Sequence, residues 1–300
     1  MGSWDDVCVL IPTLNESSTI GGVIDGFRAE GFQNIVVVDG GSDDGTRELA
    51  EEHDARVMIQ SGTGKGQAVR EALSRIEAEY VVLTDGDGTY DPADAPDLLK
   101  PVISGRAEHA IGDRFADMQH GAMTRFNRIG NRLINRTFEY VHGQEDRDIL
   151  SGYRAFTVES TERFQLKATG FGIETEFAVE CAKYDVPTVV VPITYRPRPE
   201  DSSTNLHPVR DGAVILVTLY RLAKTNNPMF YFGSVGFVSL LIGGVLAAYV
   251  GVEWFRYNVS HEVMAVVAGV AILFGVQLIM FGVLSDLILS LHREQIRRLK

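Results

Sequence analysis

Two long apolar runs close this sequence. The first covers 229–252, roughly 24 residues with FYFGSVGFVSLLIGGVLAAYV at its heart, and the second covers 263–285, roughly 23 residues. About 20 apolar residues in a helix span the hydrocarbon core of a bilayer. The pair therefore predicts a transmembrane hairpin, and the chemistry has to lie upstream, in a length that suits one large α/β domain. A water-soluble site tied to a bilayer in this way points to a partner that lives in lipid.

Charge divides along the same boundary. The formal net charge is −12; residues 1–228 hold 36 acids and 23 bases, and the remainder holds 4 and 5. An acidic surface argues against nucleic acid as a partner, because a phosphate backbone needs a basic face. It also suits a high-salt cytoplasm, as in a halophilic archaeon, although ordinary solubility charge gives the same pattern.

Cys8 lies in the apolar run VCVLIP and Cys181 in a helical run, which predicts two buried thiols outside any disulfide, in a reducing compartment. CxxC and HExxH are both absent from the sequence, so no structural zinc site is expected. The opening residues are acidic and polar, which predicts no signal peptide. Arg221 and Lys224 precede the first apolar run, and His292, Arg293, Arg297, Arg298 and Lys300 follow the second, whereas the loop between them holds only Arg256 against two glutamates. Positive residues stay inside, so the catalytic domain and both termini are expected in the cytoplasm, on a multi-pass protein of the cell membrane. The expected divisions are a catalytic domain over 1–205, an amphipathic juxtamembrane helix over 206–228, and the hairpin with its basic tail over 229–300.

Up to about residue 115 short β-rich runs alternate with helical ones. Strands are expected at 7–11, 34–38, 56–60, 80–84 and 109–112, with helices at 18–29, 45–53 and 66–78. The strands are nearly all apolar rather than alternating. That is the mark of a mainly parallel sheet covered on both faces, a doubly wound α/β fold. Ligands in such sheets bind beyond the carboxyl ends of the strands.

Three of those ends are polar and acidic: Pro12-Thr-Leu-Asn15-Glu16 after the first strand, Asp39-Gly-Gly-Ser-Asp-Asp-Gly-Thr46 after the second, and Asp85-Gly-Asp87-Gly-Thr-Tyr-Asp91-Pro92 after the fourth. Two carboxylates two residues apart at a strand end can converge on one divalent ion, and hard oxygen ligands suit Mg²⁺ or Mn²⁺ bridging a diphosphate. An acidic turn of Asp and Gly is the plainer alternative. Asp39 is placed to accept hydrogen bonds from a nucleobase or ribose, with Gly40-Gly41 letting backbone approach the ligand; Ser42 is a candidate cap for the following helix. Gly62-Thr-Gly64-Lys65-Gly66 opens a helix and is a candidate phosphate cradle. It is neither a Walker loop nor a clean GxGxxG, so an ATPase and a dinucleotide oxidoreductase are both set aside.

PTLNE, DGGSDDGT, GKG and DGD, in that order and spacing, resemble the family 2 glycosyltransferases of the GT-A fold. The match continues through Gly112-Asp-Arg114, Ser151-Gly-Tyr-Arg154-Ala-Phe156, Gly172-Ile-Glu174-Thr-Glu176 and Pro192-Ile-Thr-Tyr-Arg196. The branch it resembles is that of the dolichyl-phosphate mannose and glucose synthases. Gly40 stands where many relatives carry a second Asp, which leaves base recognition to Asp39. No QxxRW, the motif of processive synthases, is present, so transfer of a single sugar is expected.

The resemblance implies that Pro12, Asn15, Glu16 and Asp39 hold the nucleoside, that Lys65 lies near the nucleotide, and that Asp85 and Asp87 address metal and diphosphate. It implies that Arg114, with Arg128 or Arg132, faces the acceptor phosphate and that Arg196 or Arg198 closes over the site. An arginine fork grips phosphate oxygens bidentately; for Arg128 and Arg132 an ordinary surface charge is as good a reading. Glu174 and Glu176 either orient these arginines or simply favour a helix N-terminus. The implied reaction moves one hexose from a nucleotide sugar, UDP-glucose ahead of GDP-mannose, to dolichyl phosphate with inversion, for protein glycosylation. The alternatives are transfer to a lipid-linked sugar or a diacylglycerol, with Asp113 as base, and an inactive membrane-tethered nucleotide-sugar-binding module.

Overall fold

The computed structural model describes residues 4–142, 148–168, 170, 172–199, 212–213, 215–217, 220, 223–224 and 227–299. The chain divides into two compact units, Met1–Leu219 and Tyr220–Lys300.

In the first unit one sheet gathers seven strands: β1 (Val7–Thr13), β2 (Asn34–Asp39), β3 (Arg56–Ile59), β4 (Tyr80–Leu83), β5 (His109–Met118), β6 (Arg154–Thr157) and β7 (Thr188–Tyr195), in the order β3-β2-β1-β4-β6-β5-β7. β1 lies parallel to β2 and β4, β2 to β3, and β5 to β7; β6 runs antiparallel between β4 and β5. Around the sheet lie α1 (Ile20–Ala29), α2 (Thr46–Glu52), α3 (Lys65–Leu73), α4 (Ala95–Ile103), α5 (Arg125–His142), α6 (Val158–Glu162) and α7 (Ile173–Tyr184).

Successive side chains of a strand point to opposite faces, and β1 shows why its sequence is apolar throughout. Val7, Val9 and Ile11 enter one core with Ile24 and Phe27 of α1 and Leu98 and Leu99 of α4. Cys8 and Leu10 enter the other with Val69 and Ala72 of α3 and Phe177 of α7. Each fully buried Leu, Ile or Phe contributes about 1.5–3 kcal/mol, so both layers are needed to hold the sheet. Cys8 and Cys181 are both buried, and burial, only partly opposed by Arg56, pushes the Cys8 thiol up to about 12.

The sheet is mainly parallel, as its apolar strands require. β6 escapes a reading by runs because its sequence, RAFT, sets only two apolar residues side by side. β5 extends to Met118, beyond the expected 112, because it crosses an irregularity between Asp113 and Asp117 and resumes its pairing with β7.

In the second unit α8 (Pro228–Tyr257) and α9 (Glu262–Leu299) are both long and apolar enough to cross a membrane, with mean hydropathy of 2.2 and 2.5 in their spanning parts. Both helices outrun the apolar runs that announce them, since a run measures bilayer thickness and a helix ends at its cap. In α8 that cap is Asn258, left-handed at φ 56°, where Val259 N–H reaches the Glu253 carbonyl. Small residues bring the two helices together: a Cβ on Gly236 would lie 2.7 Å from the Gly275 carbonyl oxygen, and one on Gly243 2.9 Å from that of Ala268. Ser239 Oγ donates to the Ala271 carbonyl at 2.7 Å. Close backbone approach of this kind is how helices associate in lipid. The juxtamembrane helix expected at 206–228 and the side chains of the basic tail lie largely outside the described residues.

Candidate active site

The acidic turn after β4 is where the polar groups converge. Lys65, at the start of α3, contacts Asp85 and lies 2.5 Å from Glu174 in the first turn of α7. Asp87 accepts hydrogen bonds from the backbone N–H and hydroxyl of Thr89 at 3.0 and 2.6 Å, and its other oxygen is paired with Arg198. Arg198 also stands 3.6 Å from Glu16, so one guanidinium joins the turn after β1 to the turn after β4. Arg196 pairs with Asp91, and its backbone N–H meets the Thr89 carbonyl at 2.8 Å. Thr19 Oγ1 donates to the Gly86 carbonyl at 2.7 Å. The turn is held from three places in the chain: Lys65 at the start of α3, Thr19 just before α1, and the two arginines after β7.

Gly152 explains the SGYR segment. A Cβ there would lie 2.7 Å from Asp85 Oδ2 and 3.0 Å from Lys65 Nζ, so a larger residue would push the two side chains of the pair aside. Its N–H donates to the Tyr90 hydroxyl at 2.9 Å, and the Tyr153 hydroxyl donates to the Asp91 carbonyl at 3.0 Å.

The loops after β1 and β2 lock to each other. Asn15, left-handed at φ 56°, accepts from Asp43 N–H at 3.0 Å and donates its own backbone N–H to Ser42 Oγ at 2.9 Å. Glu16 N–H donates to Thr46 Oγ1 at 2.8 Å. Pro12 lies in register with Val38, and Thr13 with Asp39. Asp39 is buried and receives the N–H groups of Gly41 and Ser42. Ser42 does not cap α2, whose N-cap is Gly45 at φ 89°; its hydroxyl is taken by Asn15.

Arg114 lies buried at β5. Its Nε and Nη2 each donate to Asp148 at 2.7 Å, a bidentate pair with the fully buried carboxylate, and its guanidinium lies 5.5 Å from the Tyr195 ring centre. Burial opposes the charge on Arg114, but Asp148 and then Tyr90 outweigh it and raise its pKa. Asp148 is a site residue that the sequence reading missed. It sits in the charged run GQEDRD, which reads as solvent-facing, and only the partner across the fold reveals it. Asp113 is buried, with one oxygen accepting from Phe115 N–H at 2.9 Å.

Arg128 and Arg132 lie on the exposed side of α5, Arg128 reaching Met118 Sδ at 3.0 Å. The structure therefore brings Asp85, Asp87, Lys65, Glu16, Arg196 and Arg198 into one network and sets Arg128 and Arg132 apart from it. Glu174 and Glu176 do not orient arginines: Glu174 takes Lys65, and Glu176 accepts the backbone N–H groups of Lys167 and Ala168, both at 2.8 Å. Gly66 of the GKG segment serves packing, since a Cβ there would lie 2.3 Å from the Ala168 carbonyl oxygen.

Burial lowers the pKa of Lys65, yet Asp85 and Glu174 outweigh it and raise the value. For Arg198 burial is likewise outweighed, by Asp87 and Glu16. Cations already sit against both carboxylates of the DGD turn, which is the charge preference a divalent ion would satisfy. Among the described residues no cluster of three or more His, Cys, Asp or Glu forms. Asp85 and Asp87 are carboxylate oxygens of the kind a hard divalent ion takes, and two protein ligands would leave the rest of its shell to oxygens from outside the protein.

A doubly wound, mainly parallel sheet with paired carboxylates at its carboxyl edge defines a fold of the GT-A class. Glucosyl-3-phosphoglycerate synthase from Mycobacterium tuberculosis, solved with Mn²⁺, UDP-glucose and phosphoglyceric acid, shares the fold at a TM-score of 0.60 and 21% identity, over 72% of this chain and 79% of that one. Residues 8–164 match glycosyl transferase family 2, and the chain belongs to that family. Glycosyltransferase AglJ of Haloferax volcanii is 63% identical over 99% of this chain and 98% of its own length. The dolichyl-phosphate hexose transferase of the same organism is 33% identical over 71% of this chain and 92% of its own.

Proposed function

We propose that this glycosyltransferase moves one hexose from a nucleotide-diphosphate sugar to dolichyl (polyprenyl) phosphate, with inversion at the anomeric carbon. The observation that carries the reading is the DGD turn, clasped by Lys65 and Arg198, in a chain that also holds two membrane-length helices. Relatives whose names give an acceptor point the same way: the dolichyl-phosphate hexose transferase of Haloferax volcanii, and a UDP-N-acetylglucosamine–dolichyl-phosphate N-acetylglucosaminyltransferase of Methanococcus voltae that is 25% identical over 62% of this chain. UDP-glucose is the donor we place first, ahead of GDP-mannose.

In this reading Pro12, Asn15, Glu16 and Asp39 form the nucleoside wall. Asp85 and Asp87 would hold Mg²⁺ or Mn²⁺, which when bound offsets charge on the diphosphate. Lys65 keeps its proton beside Asp85 and adds positive charge at the same edge. The acceptor is a phosphate monoester with a second pKa near 6, by analogy with phosphoserine, so it is mostly a dianion at neutral pH and needs no general base. What remains for the protein is alignment and electrostatic complementarity. Arg114, fixed by Asp148, and Arg196 and Arg198 supply the fixed positive charge for that phosphate; Arg128 and Arg132 are the more distant candidates.

Residues 1–205 make the catalytic domain, 206–228 a juxtamembrane segment and 229–300 the hairpin. The cytoplasmic side holds the catalytic domain and both ends, on the distribution of Lys and Arg around the apolar runs. The test is to incubate membranes bearing the protein with a panel of labelled nucleotide sugars and dolichyl phosphate, and to identify the lipid product. A single hexose on lipid phosphate supports the reading; label found only on a lipid-linked sugar or a diacylglycerol overturns it.

A further inference from the structure

Helix α5 turns one face to the core and a divided face outward. Ile134, Phe138 and Val141 are buried. On the other side Phe126, Ile129 and Leu133 are 61%, 66% and 57% exposed, and Tyr140 is exposed with them. At 3.6 residues per turn these four fall within about 60° of one another around the helix. Arg125, Arg128, Arg132 and Arg136 fall within about 80° directly beside them, and all four are exposed. The helix has 18 residues, and Glu139 is its only acid, in a chain whose net charge is −12.

We propose that this outer face of α5 is a docking surface for an anionic lipid bilayer, with the apolar stripe entering the headgroup region and the arginines on lipid phosphates. Three observations select that occupant. The apolar stripe is narrower than the face of about 100° or more that a helix buries against protein. An arginine row alongside an apolar row is the pattern of helices that lie in the membrane interface, where long basic side chains cover apolar surface and keep their charge in the headgroups. The chain also carries its own membrane-length helices, so a bilayer is always within reach of its covalent tether. The proposal rests on those helices and on α5, and is independent of which acceptor the enzyme uses.

The test uses the full chain in liposomes, without donor or acceptor. Ile129→Cys is labelled with an environment-sensitive fluorophore, and Glu52→Cys, on the exposed side of α2, serves as the reference. Labelling is selective because Cys8 and Cys181 are buried. Lipids carrying a quencher near the headgroup are expected to quench the probe at position 129 several-fold more than at 52 when phosphatidylglycerol is present. The difference is expected to shrink in pure phosphatidylcholine and on Arg125→Glu with Arg136→Glu. Equal quenching in the two lipid compositions would overturn the anionic part of the proposal. Quenching at 129 no stronger than at 52, or cross-linking between copies through the introduced thiol, would overturn it whole.

Discussion

Lys65 Nζ lies 2.5 Å from Glu174 Oε1 while also contacting Asp85, so a single buried ammonium ties the first turn of α7 to the acidic turn after β4. Removing it leaves two carboxylates facing each other with no cation between them. Lys65→Met is expected to cost about 3–5 kcal/mol, the usual consequence of breaking a buried pair from one side, measured by chemical unfolding. Mn²⁺ is expected to raise the stability of the variant more than that of wild type. The folded-state pKa of Lys65 is raised above its ordinary 10.5. Its stabilisation is therefore complete below pH 10.5 and is lost only as pH rises through the folded value, so it adds no pH dependence near neutrality.

Arg198 holds the oxygen of Asp87 that a divalent ion would need. A partly exposed ion pair is worth about 1 kcal/mol, so Arg198→Ala is expected to tighten Mn²⁺ binding about fivefold in the absence of donor. Calorimetric titration of the protein with the metal alone reads this. Unchanged or weaker binding would show that Arg198 does not compete for the site.

Arg114 depends on two parallel hydrogen bonds to Asp148, which a lysine cannot form. Arg114→Lys is expected to reduce transfer by roughly 10²-fold or more while donor binding, followed by nucleotide titration, stays within a few-fold of wild type. Asp148→Asn removes a buried countercharge and is expected to cost about 3–5 kcal/mol in unfolding.

His109 is buried beside Cys181 and Arg154. Burial first, and Arg154 second, push its pKa well below the ordinary 6.5. The unfolded chain takes up a proton near pH 6.5 that the folded chain refuses, so stability falls as pH drops below that value. Between pH 6.5 and 5 wild type is expected to lose about 2 kcal/mol more than His109→Gln. Parallel curves for the two proteins would exclude His109 as the source.

β1, β2, β4 and the hairpin were legible because burial on both faces, or in lipid, leaves an unbroken apolar run; β3, at the sheet edge with Ile59 60% exposed, was legible from Val57, Met58 and Ile59 alone. Asp85, Asp87, Lys65 and Glu16 were legible because acidic and glycine-rich turns at strand ends have few other reasons to recur. Asp148 and Gly152 were not. Their roles depend on contacts with Arg114 and with Asp85 and Lys65, 34 and more residues away along the chain, and no local periodicity encodes such a meeting. β6 was hidden for a related reason: RAFT, inserted antiparallel between β4 and β5, has no apolar run to announce it. The two faces of α5 became separable only when burial distinguished Ile134 from Leu133.

The central claim is that the Asp85-Gly-Asp87 turn holds the diphosphate end of the donor while a lipid monophosphate attacks the sugar. Its most direct measurement is transfer of labelled hexose to dolichyl phosphate by wild type and by Asp87→Asn, in membranes supplied with Mn²⁺ or Mg²⁺. The account predicts a loss of about 10³-fold or more in the variant, the scale of removing an electrostatic partner from a transition state, with the fold intact by thermal unfolding. Transfer at the wild-type rate by Asp87→Asn would contradict it.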